Sequence, residues 1–104
     1  MIKINIVNEN KHIKKICIRG HAGYDVSGKD IVCAAVSATV LTTINIIDCL
    51  KNNYINCIEE KDKLTIVVND KDNTINKILS KMILLIKEIK ENYPSYIEIN
   101  EEVS

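Results

Sequence analysis

The amino-acid sequence predicts an α+β domain of two layers, in which a mixed or antiparallel sheet packs against helices in the element order ββαββαβ. Three patterns lead to this class. Apolar residues alternate from Met1 to Arg19, a nearly uncharged apolar run follows Asp30, and apolar residues recur at three- and four-residue steps after Asn73. A chain of 104 residues is long enough for one domain with one modest core.

Each element has its own signal. The alternation of Ile2, Ile4 and Ile6 with polar residues resumes after a polar turn, which predicts a hairpin. Polar turns and Pro94 separate the later elements. The predicted elements are strands Met1–Val7 and Ile13–Arg19, a loop Gly20–Lys29, a helix from about Asp30 to Lys51, strands Tyr54–Glu60 and Leu64–Val68, a helix Asn73–Glu91, and a strand Tyr96–Asn100.

The two helices differ in their patterns. The second has one apolar and one lysine-bearing face, so we expect it at a surface. The first, IVCAAVSATVLTTINIIDCL, has almost no charge before Asp48 and is apolar all round. Such a helix must be covered all round. We therefore expect a buried first helix that lies on the sheet and is covered again by the second helix or by another subunit.

Charge and cysteine content limit the possible functions. Lysine plus arginine and aspartate plus glutamate both number 14, and this balance argues against non-specific nucleic-acid binding. We expect no direct nucleic-acid partner, no signal peptide and no membrane-spanning segment. The four cysteines are expected to be reduced in a cytoplasmic protein. Their spacing contains no Cys-x-x-Cys, so we expect no structural metal.

One stretch, GHAGYDVSGKDIVCAAVSA, differs from the surrounding sequence. Asp30 is a favourable N-cap residue, which would put Cys33 in the first turn of the first helix. The helix dipole and the free N–H groups of a first turn favour a thiolate and can hold an oxyanion. His21 follows the second strand directly and could take the thiol proton. The pattern indicates a Cys–His site across a glycine-bearing loop.

The residues alone leave plainer readings open. Cys33 could be a small buried hydrophobe and His21 a structural histidine. Ser37 lies one turn after Cys33, where it could line a site or fill space between helices, and Tyr24 could contact a peptide or be an ordinary loop residue. We interpret the other three cysteines as structural and His12 as solvated; they are Cys17, Cys49 and Cys57.

The motif as a whole resembles the ribosomal-processing cysteine protease family (Prp, YsxB-like). The matching residues are Gly20-His21-Ala22, Gly28-Lys29-Asp30, Ile31-Val32-Cys33, Ala34-Ala35 and Ser37. The resemblance extends over the chain, residues 1–104, as one cysteine-protease domain. It implies a homodimer that removes the N-terminal extension of large-subunit ribosomal protein twenty-seven after an aromatic-rich segment.

The resemblance also implies roles for individual residues. Cys33 would be the nucleophile and His21 the general base, while Gly20, Gly28, Asp30 and Ser37 would be supporting or substrate-binding positions. The loop Ala22–Lys29 would open to admit the peptide, and neither a metal nor an organic cofactor is implied. Two other classes remain open: a non-catalytic ribosome-associated binding module, and a thiol redox protein, for which no second cysteine lies near Cys33 in the sequence.

Overall fold

A computed structural model describes residues 1–20 and 27–104 of the chain, with residues 27–30 described by their backbone only. Its elements follow the predicted order, and the predicted fold class is confirmed. The elements are β1 (Ile2–Glu9), β2 (His12–Arg19), α1 (Ser27–Leu50), β3 (Ile55–Glu60), β4 (Lys63–Val68), α2 (Asn73–Asn92) and β5 (Ile97–Val103).

The five strands form one mixed sheet in the order β3-β4-β2-β1-β5. Only the pairing of β1 with β5 is parallel; the pairings β1–β2, β2–β4 and β3–β4 are antiparallel. Asn10 and Lys11 connect β1 to β2 with φ angles of 51° and 64°, the sign that a two-residue type I′ turn requires. β5 continues to Val103, beyond the predicted end at Asn100, because its pairing with β1 extends that far.

One face of the sheet carries the core. The strand register places Ile4 opposite Ile18 and Ile6 opposite Ile16, while Ile66 lies on the far side of Ile16. All five of these side chains are at most 3% exposed. They belong to one hydrophobic cluster with the inward residues of α1 and α2, so both helices cover the same face of the sheet. Neither helix covers the opposite face.

α1 buries one stripe and exposes another. Val32, Val36 and Ile47 are at most 1% exposed, whereas Leu41 is 51% and Ile46 is 47% exposed. The sheet and α2 therefore cover one side of this helix. The second cover that its sequence predicts is not supplied by the part of the chain that the structure describes.

The expectation that no segment approaches a membrane span is wrong by length and composition. Ile31–Leu50 forms a run of 20 residues with a mean hydropathy of 1.8, long and apolar enough to cross a bilayer. In the fold this run packs on the sheet, and buried helices of globular domains have the same character. The length and hydropathy of this one helix are therefore weak support for a membrane span.

Candidate active site

Gly20 fixes the end of β2, immediately before His21. Its φ of 74° lies in the left-handed region, which glycine adopts without strain. A Cβ atom at this position would lie 2.5 Å from the backbone oxygen of Met1. The Gly20 N–H also donates a hydrogen bond of 3.0 Å to the Asp62 carbonyl in the β3–β4 turn. The glycine therefore permits a close approach that holds this strand end between β1 and the β3–β4 turn.

The helix that carries the cysteine starts earlier than predicted. α1 begins at Ser27, so Asp30 is inside the helix and is not its N-cap. Gly28, expected in the loop, also has helical backbone. Serine is itself a favoured residue type at a helix start, and the sequence contains this second start signal three residues before Asp30. Cys33 is consequently the seventh residue of α1, in its second turn, where the backbone N–H groups already have partners within the helix.

Cys33 lies deeper than expected. Its residue is 8% exposed and belongs to the core cluster, as in the plainer reading of a small buried residue. The physical reason is its place in the α1 stripe that packs against the sheet, between Val32 at 0% and Val36 at 1% exposed. A small part of the residue remains accessible to solvent.

An open groove runs beside α1, one turn beyond the cysteine. Its cavity volume is about 340 Å³, and its α1 side includes Ser37 and Val40. Residues four apart on a helix share a face, so Ser37 continues the face of Cys33 toward this groove. Ile18 and Leu64 contribute apolar surface from the sheet. The remaining lining residues are Val36, Leu41, Glu59, Glu60, Lys61 and Lys63.

The wall opposite α1 was not recognisable in the sequence. It is the β3–β4 hairpin, whose charged residues Glu60 and Lys63 form an ion pair of 3.8 Å at the groove. Leu64 reaches the groove because it pairs with Ile18 across β4 and β2. The alternation of Leu64 with its neighbours predicts a strand but not its partner, so only the sheet order reveals this wall.

None of the other three cysteines lines the groove. Cys17 is 6% exposed and points to the sheet face that the helices leave uncovered, since it pairs with Asn5 and Thr65 there. Cys49 is exposed near the end of α1. Cys57 is exposed as a residue, yet partial burial of its thiol raises the thiol pKa, and the Asp48 and Glu59 carboxylates raise it further. A thiol with a raised pKa is a weak nucleophile near neutral pH.

His12, the histidine that the structure describes, lies in a different place. Its Nδ1 is 3.0 Å from the Asn10 carbonyl oxygen and its Nε2 is 3.0 Å from Asn73 Oδ1, so it ties the β1–β2 turn to the start of α2. It lines a separate depression of about 250 Å³ that contains no cysteine. The expectation of a solvated His12 is wrong to the extent that both ring nitrogens have protein partners.

His21 and Tyr24, together with most of the predicted gate Ala22–Lys29, lie outside the described residues. The final three residues of that segment are helical in α1. In the described part of the chain, no group of three or more His, Cys, Asp or Glu residues is arranged to hold a metal ion.

The fold and the sequence match known proteins over essentially their whole length. The family described as cysteine protease Prp matches residues 1–98. A ribosomal processing cysteine protease Prp from Mycoplasma genitalium is 36% identical over 104 residues, which cover 98% of this chain and 97% of the relative. The protein is therefore a cysteine protease. It belongs to the ribosomal processing cysteine protease Prp family.

Two solved structures resemble the fold closely. The S. aureus protease Prp in complex with a substrate peptide has a TM-score of 0.90 at 24% identity, covering 98% of this chain and 100% of that one. The same S. aureus protease with a covalently linked product peptide has a TM-score of 0.87 at 26% identity, with the same coverage. Their shared architecture confirms the two-layer fold of this chain.

We predict that Gly20→Ala damages both stability and turnover. An added Cβ would require a left-handed alanine, which costs about 1–2 kcal/mol, and would collide with the Met1 carbonyl. Displacement of the chain before His21 should lower kcat/KM by on the order of 10²-fold if it moves a catalytic group by about 1 Å. Thermal unfolding and peptide cleavage measure the two effects.

Gly28→Ala is the stability control for this prediction. Gly28 has helical backbone, where alanine is favoured over glycine by about 0.5–1 kcal/mol. This variant should unfold at the same temperature as the wild type or higher. Wild-type stability together with wild-type turnover in Gly20→Ala would contradict the role assigned to Gly20.

Proposed function

We propose that this protein is an endopeptidase that removes the N-terminal extension of large-subunit ribosomal protein twenty-seven, with Cys33 as nucleophile and His21 as general base. One observation carries the proposal: the thiol-bearing stripe of α1 leads directly into an apolar groove, in a chain that belongs to the Prp family. The groove is open to solvent between α1 and the β3–β4 hairpin, so a peptide can enter it.

The chemistry follows from a thiol paired with an imidazole. His21 takes the proton of the Cys33 thiol as Sγ attacks the scissile carbonyl carbon, and the resulting tetrahedral oxyanion collapses to a thioester. The imidazolium returns that proton to the leaving amine, so the C–N bond breaks with charges balanced. A water molecule, deprotonated by the same imidazole, then hydrolyses the thioester and regenerates the thiol. The covalently linked product peptide of the S. aureus protease supports a covalent route.

Substrate recognition belongs to the groove in this proposal. Leu41 and Leu64, together with the buried side chains Ile18 and Val40 that line the same groove, offer an apolar surface on which aromatic side chains lose contact with water, the dominant favourable term in such binding. The S. aureus relative was solved with a substrate peptide, which supports a peptide occupant here. Ser37, on the groove wall, would contact the peptide.

The remaining motif positions act through the backbone. Gly20 sets the direction in which the chain enters the segment that contains His21, and Gly28 and Asp30 belong to the first helical residues on its far side. We assign all three positioning roles. The enzyme would work in the cytoplasm, because the four cysteines are free and a reducing compartment keeps a catalytic thiol active.

The decisive experiment incubates the protein with the ribosomal protein precursor from the same cell and measures the mass of the precursor's N-terminus. The wild type should release one N-terminal peptide. Cys33→Ala and His21→Ala should each lower the cleavage rate by at least about 10³-fold, the loss typical when one member of a catalytic set is removed. Both variants should keep the wild-type circular dichroism spectrum.

Cys57→Ala is the matched control, because it removes an exposed thiol that does not line the groove. It should cleave at the wild-type rate. Substantial cleavage by Cys33→Ala would overturn the nucleophile assignment. Tight binding of the precursor without cleavage by the wild type would favour the non-catalytic binding module instead.

We also propose that two copies associate through the outer face of α1. Two apolar depressions of about 490 and 510 Å³ lie on this face and at its boundary with α2. Ile46, 47% exposed, lines both depressions. Leu41 and Leu50 are 51% and 61% exposed on the same face. An exposed apolar surface of this continuity is typical of an interface, and a second copy would supply the missing cover of the helix.

Sedimentation of point variants tests this interface. Ile46→Glu should convert a dimer into a monomer at micromolar concentration, because burying an unpaired carboxylate costs several kcal/mol. Leu84→Glu is the control: Leu84 is also 47% exposed but lines neither depression. It should remain a dimer. A wild-type monomer, or equal dissociation of the two variants, would contradict the proposed interface.

A further inference from the structure

The sheet face opposite the helices carries a row of cations in cross-strand register. Lys3 pairs with Arg19, and Arg19 pairs with Lys63, so three neighbouring strands place positive side chains side by side. Adjacent strands lie about 4.8 Å apart, which puts the three Cα atoms within about 10 Å of one another. Like charges directly opposite each other destabilise a sheet. Packing does not require this arrangement, because neither α1 nor α2 covers this face.

A fourth cation extends the row along β2. Lys15 lies four residues before Arg19, and side chains of a strand alternate between faces, so both point to the same side. Lys3, Lys15 and Arg19 are exposed. Among the described residues, only Lys63 of the four forms an ion pair, with Glu60. Lys15 and Arg19 have no ion-pair partner in the described part of the chain, while Lys3 lies in register with Glu98 on β5.

Hydrogen-bonding groups lie between these cations. Asn5 and Thr65 flank Cys17 in the next row of the sheet, and they line a shallow depression of about 250 Å³ together with Lys15 and Arg19. Amide and hydroxyl groups add neutral donors to the positive charges. The combination is typical of contacts to phosphate oxygens.

The acidic residues of this face stand on its outer strands. Glu60 is on β3, while Glu98 and Glu102 are on β5, and these two strands are the edges of the sheet. Over the rows from Lys3 to Lys15, the three inner strands contribute four cations and no acid to the face; Glu9, at the end of β1, is paired with Lys14. A cationic strip therefore runs along the middle of the sheet with negative charge only at its borders.

We propose that this cationic strip, Lys3, Lys15, Arg19 and Lys63, binds the phosphate backbone of a folded nucleic acid without reading its sequence. Charge complementarity selects a polyanion, and the spread of the cations suits several phosphates better than one small anion. The five strands contain no Phe, Tyr or Trp, so the face offers no platform for stacking unpaired bases. A duplex region, bound through its backbone, is the form of nucleic acid that fits.

The neutral net charge of the chain argued against such a partner. Net charge sums over both layers, whereas binding depends on how charge is distributed over one surface. The cations of this face lie on the inner strands and its acidic residues on the edge strands. Composition does not reveal this strand order.

Fluorescence anisotropy with a labelled RNA duplex of about 16 base pairs tests the proposal, in titrations that start at about 50 mM salt. The full chain should bind two duplexes of different sequence with equal affinity. The double variant Lys3→Gln/Lys15→Gln should bind at least about tenfold more weakly, and the slope of log affinity against log salt should fall by about 2. Its melting temperature should stay close to that of the wild type, because the variant loses the like-charge contact of Lys3 with Arg19 and also its opposite-charge contact with Glu98.

Lys77→Gln/Lys90→Gln is the matched control. It removes the same charge from two positions on α2, in the other layer, that line neither of the two apolar depressions. This variant should keep the wild-type affinity and salt slope. Absence of binding by the wild type, or an equal loss in the control, would overturn the proposal. Competition by inorganic phosphate or poly-glutamate as effective as unlabelled duplex would also overturn it, since the face would then accept any anion.

Discussion

The packing of α1 on the isoleucine face of the sheet is the constraint on which the rest of the structure depends. The sheet has one strongly apolar face, and the described part of the chain has two helices, α1 and α2, with which to cover it. The stripe that makes this contact, from Val32 to Ile47, is the same stripe that contains Cys33. Core packing and the candidate nucleophile are therefore set by one helix surface, and a change that shifts α1 alters both.

This constraint explains why the functional surfaces lie where they do. Since one side of α1 is occupied by the sheet, its open edge beside the β3–β4 hairpin becomes a groove, and its outer side is left apolar and exposed. The groove suits a peptide, and the outer side suits a second copy. Neither α1 nor α2 packs on the opposite face of the sheet. That face can therefore carry a row of cations, which would be costly on a buried surface.

The local patterns of the sequence predicted the elements well, because alternation and helical periodicity are properties of short segments. Order ββαββαβ, the hairpin turn at Asn10 and the long first helix all follow from such patterns. The helix start was misplaced because Ser27 and Asp30 are both acceptable start residues, and propensity alone does not choose between them. The motif around Cys33 identified the family, but the depth of the thiol could not be predicted, since burial depends on which stripe meets the sheet.

Features that depend on strand order could not be predicted from the sequence. The wall of the groove depends on Leu64 lying next to Ile18, and the cationic strip depends on β4 and β1 flanking β2. The pairings Ile18–Leu64 and Arg19–Lys63 join residues more than forty positions apart, which no local rule fixes, whereas the pairing Lys3–Arg19 belongs to the predicted hairpin. Neither net charge nor composition indicates that the acidic residues of this face lie on the edge strands.

We propose that Cys33 attacks a peptide held in the neighbouring groove. The most direct measurement is the rate at which a peptide electrophile with an aromatic side chain labels the protein, with the modified residue located by mass spectrometry. We expect one adduct, on Cys33. It should form much more slowly in His21→Ala and in Ser37→Leu, whose larger side chain fills the groove. It should form at the wild-type rate in Ser80→Leu, on the exposed surface of α2. Labelling of another cysteine, or labelling of Cys33 at a rate indifferent to both His21 and Ser37, would contradict this proposal.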